Sequence, residues 1–349
     1  MATQTALALT KIGQPLTKVL LPIPDHADGK DLLIKIAAVG LAPLDAKLRD
    51  SGYMNIGNRL PAVLGGDLVG TILKAGPEVS NDFPLGSTVF AQSNFKDPRA
   101  GGLQEVTTIS GEYAAIVPRN LSATDAALYP INAMTSANAI FTPAGFNFPF
   151  PGTPDSETFD YKSQKIVVVG GGSNTGKLAI QLAHIAGIGT IIAIASRLNE
   201  ALLRSYGATH VIDRHDSDVE SQVRAAVGDD LVHVLDTVNT TDRGLAMSLL
   251  SNTKPGLLIT LTPGRSSEDL HAKKKVGVEE RQILGFSHAN PEFGRLFWKT
   301  FPQWLGSGKI KPINYNVIEG LDEDLVNAAL DQYTNGNGGD RYHVSISAT

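Results

Sequence analysis

The second half of the chain alternates between apolar runs and apolar stripes at helical spacing. Lys165–Val169 holds a continuous β-branched run, which is typical of a strand buried on both faces. The next apolar residues fall at i, i+4, i+7 and i+8, which predicts a helix packed on a sheet: Leu178, Leu182, Ile185 and Ala186. The alternation continues with predicted strands at 190–195, 210–213, 232–236 and 256–261, and predicted helices at 199–206, 219–227 and 243–250. Repeated strand–helix units predict a doubly wound parallel sheet.

The first third of the chain has a different pattern, in which Gly, Pro, Asn and Asp separate short β-leaning segments. The β-leaning segments are Leu32–Val39, Ala62–Ile72, Ser87–Phe90 and Tyr113–Val117. Together they predict an irregular barrel. A helix at Ala126–Phe141 and a loop at Thr142–Tyr161 follow. After Phe293 the pattern predicts a helix, a turn at Gly306–Pro312, a helix at Asp322–Tyr333 and a strand at Tyr342–Ile346. The whole chain is therefore predicted to be an α/β protein with two kinds of domain.

A glycine-rich turn joins the predicted strand at Lys165–Val169 to the helix after it. Its sequence contains Gly170, Gly172, Ser173, Asn174, Thr175 and Gly176. Glycine allows a phosphate to approach the backbone, and a helix N-terminus offers free N–H groups and a positive dipole end. The spacing G-x-G-x-x-x-G differs from the strict dinucleotide fingerprint by one residue. The turn nevertheless predicts a dinucleotide site.

Three other interpretations of this turn remain open. A nucleotide-hydrolase loop fits from Gly171 to Lys177, but Leu178 stands where the magnesium-binding hydroxyl should be. A hydrolase elbow, G-x-S-x-G, is broken by Thr175. The last interpretation is a tight turn with no ligand.

The residues after the strand at 190–195 bear on which dinucleotide is bound. NAD enzymes usually place Asp or Glu there for the ribose hydroxyls, whereas a 2′-phosphate requires cations. Here the strand ends in Ser196 and Arg197, and Arg214 follows the next strand. This pattern predicts NADPH, with a solvated Arg197 at the start of a helix as the alternative.

Composition excludes several classes of protein. The 349 residues include 30 basic and 35 acidic side chains and no cysteine, for a formal charge of −5. Nucleic-acid binding by bulk charge, disulfides, thiolate metal sites and a cysteine nucleophile are thereby excluded. The eight histidines have no ligand spacing, so no metal site is expected. No apolar run reaches the roughly 20 residues of a membrane helix and no secretory leader is visible, which predicts a cytoplasmic protein that binds no membrane.

Four segments, in their order and spacing, resemble a known superfamily. They are Pro61–Gly70, Leu121–Ala137, Gly207–Asp213 and Gly308–Pro312. Together with the glycine turn they resemble the medium-chain dehydrogenase/reductase superfamily, and more closely its zinc-free, quinone-oxidoreductase-like and fungal trans-acting enoyl-reductase-like members. The resemblance implies a GroES-like β-barrel catalytic domain at 1–127 and 296–349, with a Rossmann-type NADP-binding domain at 128–295. It also implies a monomer or a homodimer.

Departures from the superfamily pattern bear on the chemistry. Zinc-dependent members carry a cysteine near Gly40–Ala42, a His-Glu pair where this chain has Gly66 and Asp67, and a four-cysteine lobe near residues 92–110. None of these ligands is present in the sequence. The resemblance therefore implies reduction of a C=C bond conjugated to a carbonyl rather than zinc-assisted alcohol oxidation.

The resemblance also implies three candidate catalytic residues. Tyr53 matches a tyrosine that quinone-reductase-like relatives place beside the nicotinamide, and Thr135 matches a threonine near the same ring. Lys47 falls in the segment Ala42–Lys47, where fungal relatives carry N-P-x-D-x-K and could use the lysine to hydrogen-bond an enolate. Each has an ordinary alternative: a loop aromatic, a helix-start hydroxyl and a solvated lysine. The asparagine of that segment is Ala42 here, which puts transferred substrate contacts in doubt.

These observations predict an NADPH-dependent, metal-free oxidoreductase that reduces an enone, a quinone or an enoyl thioester, either small or carrier-bound. The alternatives are a partner-dependent enoyl reductase of a polyketide synthase and a non-catalytic NADPH-binding protein.

Two other segments of the sequence are given no catalytic or cofactor-binding role. Lys273–Lys275 is expected in an exposed loop, and the loop with Phe146, Phe148 and Phe150 either walls the substrate cleft or covers the domain junction.

Overall fold

The computed structural model describes residues 2–94, 96–239, 242–335 and 341–346. The chain divides into two compact units. The first comprises Met1–Ile131, Phe286–Gly308 and Pro312–Thr349, and the second comprises Asn132–Gly285 and Lys309–Lys311. The chain changes unit after residues 131 and 285, whereas the domain limits expected from the sequence are 127 and 295. Both ends of the chain therefore contribute to the first unit.

The amino-terminal stretch of the first unit consists of short strands and helices. The strands are β1 (Thr3–Leu9), β2 (Thr17–Pro22), β3 (Asp31–Gly40), β4 (Ala62–Val63), β5 (Asp67–Ala75), β6 (Thr88–Gln92), β7 (Val106–Ser110) and β8 (Ala114–Ile116). The helices are α1 (Pro43–Ser51) and α2 (Ala123–Ala126), with short 3-10 helices at Tyr53–Arg59 and Gly111–Tyr113. β1 pairs with β2 and β4 in a small separate sheet.

The second unit alternates strands with helices, as predicted. Its strands are β9 (Lys165–Val169), β10 (Thr190–Ala195), β11 (His210–Asp213), β12 (His233–Asp236), β13 (Gly256–Thr260) and β14 (Val278–Gln282). Its helices are α3 (Pro130–Phe141, whose first two residues belong to the first unit), α4 (Pro154–Thr158), α5 (Asn174–Ala186), α6 (Glu200–Ser205), α7 (Val219–Val227), α8 (Gly244–Leu249) and α9 (Glu268–Lys273). Short 3-10 helices lie at Tyr161–Ser163 and Arg197–Asn199.

The remaining residues return the chain to the first unit. They form a 3-10 helix at Ser287–Ala289, followed by α10 (Pro291–Gly306), β15 (Tyr315–Glu319), α11 (Glu323–Thr334) and β16 (Arg341–Ser345). β16 pairs antiparallel with β3, so that Val344 faces Val39. The resulting sheet has the order β15-β16-β3-β5-β6-β8, with β7 also paired to β3. The larger sheet of the first unit is therefore completed by β16.

The second unit is built on one parallel sheet in the order β11-β10-β9-β12-β13-β14. The α/β fold class is confirmed, with the bounds of β9, β10 and β11 as predicted. β9 and β10 are almost wholly buried, which explains why their apolar runs located them accurately. Among the described residues, no helix has both the length and the apolar content needed to cross a bilayer.

Sequence patterning missed elements whose residues are mostly polar. β14 has the sequence Val-Glu-Glu-Arg-Gln and lies at the edge of its sheet, so it carries no apolar run. The helix predicted over Ala126–Phe141 is interrupted, because α3 begins at Pro130. A residue that precedes proline is disfavoured in a helix, which accounts for the break at Tyr129.

A buried ion pair joins the amino-terminal and carboxyl-terminal segments of the first unit. Asp67 on β5 and Arg341 on β16 are 0% and 2% exposed, and Arg341 Nη2 donates to Asp67 Oδ2. Arg341 also donates to the carbonyl oxygens of Leu41 at 2.7 Å and Leu128 at 2.8 Å, and Asp67 Oδ1 accepts the N–H of Ile131. Burial raises the pKa of Asp67 to about 6, because loss of hydration outweighs the attraction of Arg341. Each guanidinium nitrogen of Arg341 and each carboxylate oxygen of Asp67 therefore has a hydrogen-bond partner within the protein.

We expect Arg341→Met to lower the free energy of unfolding by about 3 kcal/mol, because it leaves a buried carboxylate without its cation. The folded pKa of Asp67 exceeds its unfolded value near 3.8, so the folded state binds the proton more tightly. Stability contributed by this group therefore falls as pH rises from about 4 through about 6, and the variant should extend that loss to higher pH. Denaturant unfolding at several pH values measures both effects.

Arg295→Met is the matched control, since Arg295 lies on α10 with its side chain 49% exposed. It should change the unfolding free energy by less than about 0.5 kcal/mol at any pH. Equal losses for the two variants, or a loss in Arg341→Met that does not vary with pH, would contradict the assignment.

Candidate functional site

The turn between β9 and α5 begins with a glycine that no other residue can replace without strain. Gly170 has φ +78°, and a Cβ there would lie 2.5 Å from Val238 Cγ1 and 2.6 Å from Thr237 Oγ1. The N–H groups of Gly170 and Gly171 both donate to the carbonyl of Ile194 on β10 at 3.0 Å. The chain therefore leaves the sheet abruptly, directly above the carboxyl end of β9.

The other two glycines of the turn have different steric roles. A Cβ at Gly176 would lie 2.3 Å from the carbonyl oxygen of Gly170, so this glycine lets α5 approach the end of β9. A Cβ at Gly172 would meet Asn199 Nδ2 at 3.0 Å and otherwise no atom closer than 3.6 Å. Gly172 is thus not required by packing, and its missing side chain leaves an open cradle beside the turn.

Ser173 closes the turn through hydrogen bonds of both its side chain and its backbone. Its Oγ accepts the N–H of Gly176 at 3.0 Å and lies 2.8 Å from Thr237 Oγ1, while its own N–H donates to the carbonyl of Gly170 at 2.9 Å. Thr237 lies 3.0 Å from the carbonyl oxygens of Val169 and Gly170. The sequence analysis did not identify Thr237, although its position directly after a parallel strand could have indicated it.

Three backbone N–H groups remain open at the first turn of α5. Those of Gly172, Asn174 and Thr175 have no acceptor among the described residues. Converging amides at the N-terminus of a thirteen-residue helix form a site for an anion, because the helix dipole adds positive potential there. Together with the cradle at Gly172, they fit the diphosphate of a dinucleotide.

The predicted 2′-phosphate residues lie at the carboxyl ends of β10 and β11. Ser196 Oγ accepts the N–H of Leu198 at 3.4 Å, and the Arg197 side chain is 69% exposed. Arg214 Nε contacts His215 Nε2 at 3.1 Å, and the Arg214 N–H donates to the carbonyl of Ala195 at 2.9 Å, which joins the ends of the two strands. The cations required by the sequence-based prediction are therefore present at one edge of the sheet.

Thr135 lies on α3, which is hydrogen-bonded to the glycine turn. Ser136 Oγ donates to the carbonyl of Thr175 at 2.8 Å, and Thr175 Oγ1 donates to Asn132 Oδ1 at 3.2 Å. Thr135 itself is buried. Its neighbours thus attach α3 to the first turn of α5, and Thr135 stands within the same part of the second unit as the open amides.

Lys47 lies on α1 in the first unit, and its side chain is half-buried. Its ammonium has no hydrogen bond or ion pair to any described residue, and burial lowers its pKa. Ala42 caps the helix that carries it: the Ala42 N–H donates to Asp45 Oδ2 at 2.8 Å, and Asp45 Oδ1 accepts the N–H of Gly65 at 2.9 Å. A fixed helix thus presents an unpaired, partly desolvated cation.

Tyr53 opens the 3-10 helix that follows α1 and is partly buried against the core of the first unit. The next two residues, Met54 and Asn55, have φ values of +59° and +57°. The left-handed region costs a side-chain-bearing residue roughly 1–2 kcal/mol, and such strain is often found at functional sites. The strained segment starts directly after Tyr53, on the element adjoining the helix of Lys47.

The loop with Phe146 and Phe148 and the segment Lys273–Lys275 both lie in the second unit. The rings of Phe146 and Phe148 pack on His233 at centroid distances of 4.9 and 5.0 Å. His233 begins β12, so these rings cover the amino-terminal end of the parallel sheet, opposite the glycine turn. The expectation of an exposed loop at Lys273–Lys275 is wrong for Lys274, which is 7% exposed and donates to the carbonyls of Ser248 and Leu250 at the end of α8.

The described residues contain no group of three or more His, Asp or Glu arranged to hold a metal ion. Asp67, at the position of the second residue in the His-Glu pair of zinc enzymes, is instead bound to Arg341 and to the Ile131 N–H. Its neighbour Gly66 has no side chain that could coordinate a metal.

Comparison with known proteins identifies two domain families in the chain. Residues 28–119 match the family described as alcohol dehydrogenase GroES-like domain, and residues 175–303 match the one described as zinc-binding dehydrogenase. The trans-enoyl reductase himH of Aspergillus japonicus is 29% identical over 328 residues, which cover 91% of this chain and 90% of himH.

A second relative is the trans-enoyl reductase eqxC of Fusarium heterosporum. It is 33% identical over 242 residues, which cover 68% of this chain and 65% of eqxC. Among solved structures, the CurK enoyl reductase superposes with a TM-score of 0.77 at 18% identity, covering 99% of both chains. At that identity the structural similarity establishes the fold alone.

We expect Gly172→Ala and Gly176→Ala to separate ligand binding from folding. The Gly176 variant should lose about 1–3 kcal/mol of stability, because its Cβ would collide with the backbone of Gly170. The Gly172 variant should keep its stability within about 0.5 kcal/mol but bind dinucleotide at least about tenfold more weakly, because the methyl group occupies the cradle. Thermal unfolding and a fluorescence titration measure the two properties. Unchanged dinucleotide affinity in the Gly172 variant would disprove the cradle.

Proposed function

Because the chain belongs to the medium-chain dehydrogenase/reductase superfamily, we propose that it reduces an activated carbon–carbon double bond with NADPH and without a metal. The observation that carries the proposal is the set of open amides at Gly172, Asn174 and Thr175, with Ser196 and Arg197 at the end of the adjacent strand. A nicotinamide dinucleotide is the cofactor class expected of this superfamily. The choice of NADPH over NADH is supported by Arg197 and Arg214.

An enoyl thioester is the substrate class that we favour. Both relatives described above carry the name trans-enoyl reductase, which supports enoyl reduction and a carrier-bound chain supplied by a partner synthase. A quinone or a small enone contains the same conjugated carbonyl and is the alternative within this chemistry. The cytoplasmic location and the monomeric or homodimeric state stay predictions.

When bound, the reduced nicotinamide would supply a hydride to the β-carbon of the substrate, and a proton added to the α-carbon would complete the reduction. Negative charge then develops on the carbonyl oxygen, and a group that donates a hydrogen bond there lowers the barrier. We assign this donor to the Lys47 ammonium, which has no partner among the described residues to compete for its protons. Thr135 and Tyr53 are assigned to orientation of the nicotinamide ring and of the substrate.

We expect loss of reduced-nicotinamide absorbance with an enoyl thioester, and faster loss when the same acyl chain is attached to a carrier protein. Saturated thioesters are the control, because they offer no double bond to receive the hydride. A quinone and a small enone complete the series. Turnover of the quinone alone would replace the enoyl assignment, and tight NADPH binding with no turnover of any acceptor would favour a non-catalytic binding protein.

Lys47→Met tests the proposed hydrogen-bond donor. We expect the rate of hydride transfer to fall about 100-fold, within the range found when one donor to a developing oxyanion is removed. In the unsubstituted protein the rate should also decline at alkaline pH, at a pKa below the ordinary lysine value of 10.5, because burial lowers the pKa of Lys47 and only its protonated form donates. The variant should lack that alkaline decline.

Lys35→Met provides the matched control, since Lys35 is an exposed lysine on β3 of the same unit. It should keep both the rate and the pH profile. If Lys47→Met retains the same alkaline decline, another group donates the hydrogen bond.

A further inference from the structure

Two carboxylates lie against the arginine that we assign to the 2′-phosphate. Arg197 Nη2 lies 3.3 and 3.4 Å from the two carboxylate oxygens of Asp216, and Arg197 Nε lies 3.5 Å from Asp213 Oδ2. The arginine side chain is 69% exposed, whereas those of Asp216 and Asp213 are 28% and 15% exposed. The cation is therefore the more solvent-accessible member of the group.

Both carboxylates are held by contacts that do not involve the guanidinium. Gln222 Nε2, on α7, donates to Asp216 Oδ2 at 3.0 Å. The N–H of His215 donates to Asp213 Oδ1 at 3.0 Å and lowers the pKa of that carboxyl. If Arg197 turns toward a ligand, these contacts keep the two negative charges beside the same edge of the sheet.

The two nicotinamide dinucleotides would respond differently to this arrangement. A 2′-phosphate carries roughly −1.5 to −2 charges at neutral pH, so nearby carboxylates repel it and Asp216 competes with it for Arg197. The 2′-hydroxyl of NADH is neutral and can donate a hydrogen bond to a carboxylate. Acids at this position therefore oppose the preference for NADPH over NADH that the arginine creates.

We infer that Asp216 is a specificity-determining residue that weakens NADPH binding relative to NADH by competing with the 2′-phosphate for Arg197. The inference rests on the proposed cofactor preference. Asp216 is the better candidate of the two acids, because Asp213 is also committed to the backbone N–H groups of His215 and Arg197.

The test measures dissociation constants of NADPH and NADH by fluorescence titration of the full chain. Asp216→Asn removes the charge while an amide oxygen can still accept from Gln222, and circular dichroism and thermal unfolding verify its fold. We expect about threefold tighter NADPH binding, as for the removal of a surface charge interaction, with NADH unchanged or weaker. The gain should shrink at high salt, because the charges are partly exposed.

Asp230→Asn is the charge-matched control. Asp230 pairs with Lys254 and Lys165, and Lys165 begins β9, so the control lies at the opposite end of the sheet. It should leave the NADPH-to-NADH affinity ratio unchanged. Equal tightening of both cofactors in Asp216→Asn, an unchanged ratio, or weaker NADPH binding would each overturn the inference; the last result would mean that Asp216 holds Arg197 in place for the phosphate.

Arg197→Ala distinguishes failure of this inference from failure of the proposed cofactor. It should weaken NADPH binding about tenfold with little effect on NADH, because it removes charge-assisted hydrogen bonds to the phosphate. If NADPH affinity is unaffected, the proposed preference for NADPH fails and the inference about Asp216 fails with it. If NADPH binding weakens as expected while Asp216→Asn leaves the affinity ratio unchanged, only the inference about Asp216 fails.

Discussion

The second unit depends on a steric constraint at the β9–α5 turn, where two pieces of backbone lie closer than any side chain allows. The carbonyl oxygen of Gly170 would be 2.3 Å from a Cβ at Gly176, so α5 begins directly above the end of its strand. Ser173 and Thr237 then bond to each other and to the turn, which satisfies the groups nearest the helix axis. The N–H groups of Gly172, Asn174 and Thr175 have no acceptor among the described residues. An anion is the kind of ligand that such groups at a helix N-terminus favour.

The charges at the ends of the neighbouring strands bear on the proposed choice between NADPH and NADH. The sequence-based prediction takes only cations from the ends of β10 and β11, namely Arg197 and Arg214. The structure adds two acids, Asp213 at the end of β11 and Asp216 shortly after it, that contact the Arg197 guanidinium. In a parallel sheet the carboxyl ends of adjacent strands meet at one edge, so specificity at one strand is modified by its neighbour.

Elements with a strong apolar pattern were predictable, and those stabilised by polar contacts were not. β9 and β10 were located accurately because buried parallel strands require apolar residues at almost every position. β14 is polar and forms only because β13 offers it a partner. Lys274 illustrates the same limit at a side chain. Its burial depends on the carbonyls at the end of α8, which lie more than twenty positions away in sequence. The roles proposed for Tyr53, Lys47 and Thr135 rest on the family resemblance, since no spacing in the sequence alone predicts them.

In the first unit, the position of α1, which carries Lys47, depends on a distant part of the chain. Arg49, on the same helix as Lys47, donates from Nη2 to Asp331 on α11 at 2.6 Å, although 282 positions separate them. Thr334, on the same helix as Asp331, donates to Asp50 at 2.6 Å. Two such contacts restrict rotation of α1 about its axis, and rotation is the motion that would most displace the lysine ammonium. The carboxyl-terminal segment therefore does more than add a strand to the sheet: it fixes the orientation of the helix on which the proposed hydrogen-bond donor is carried.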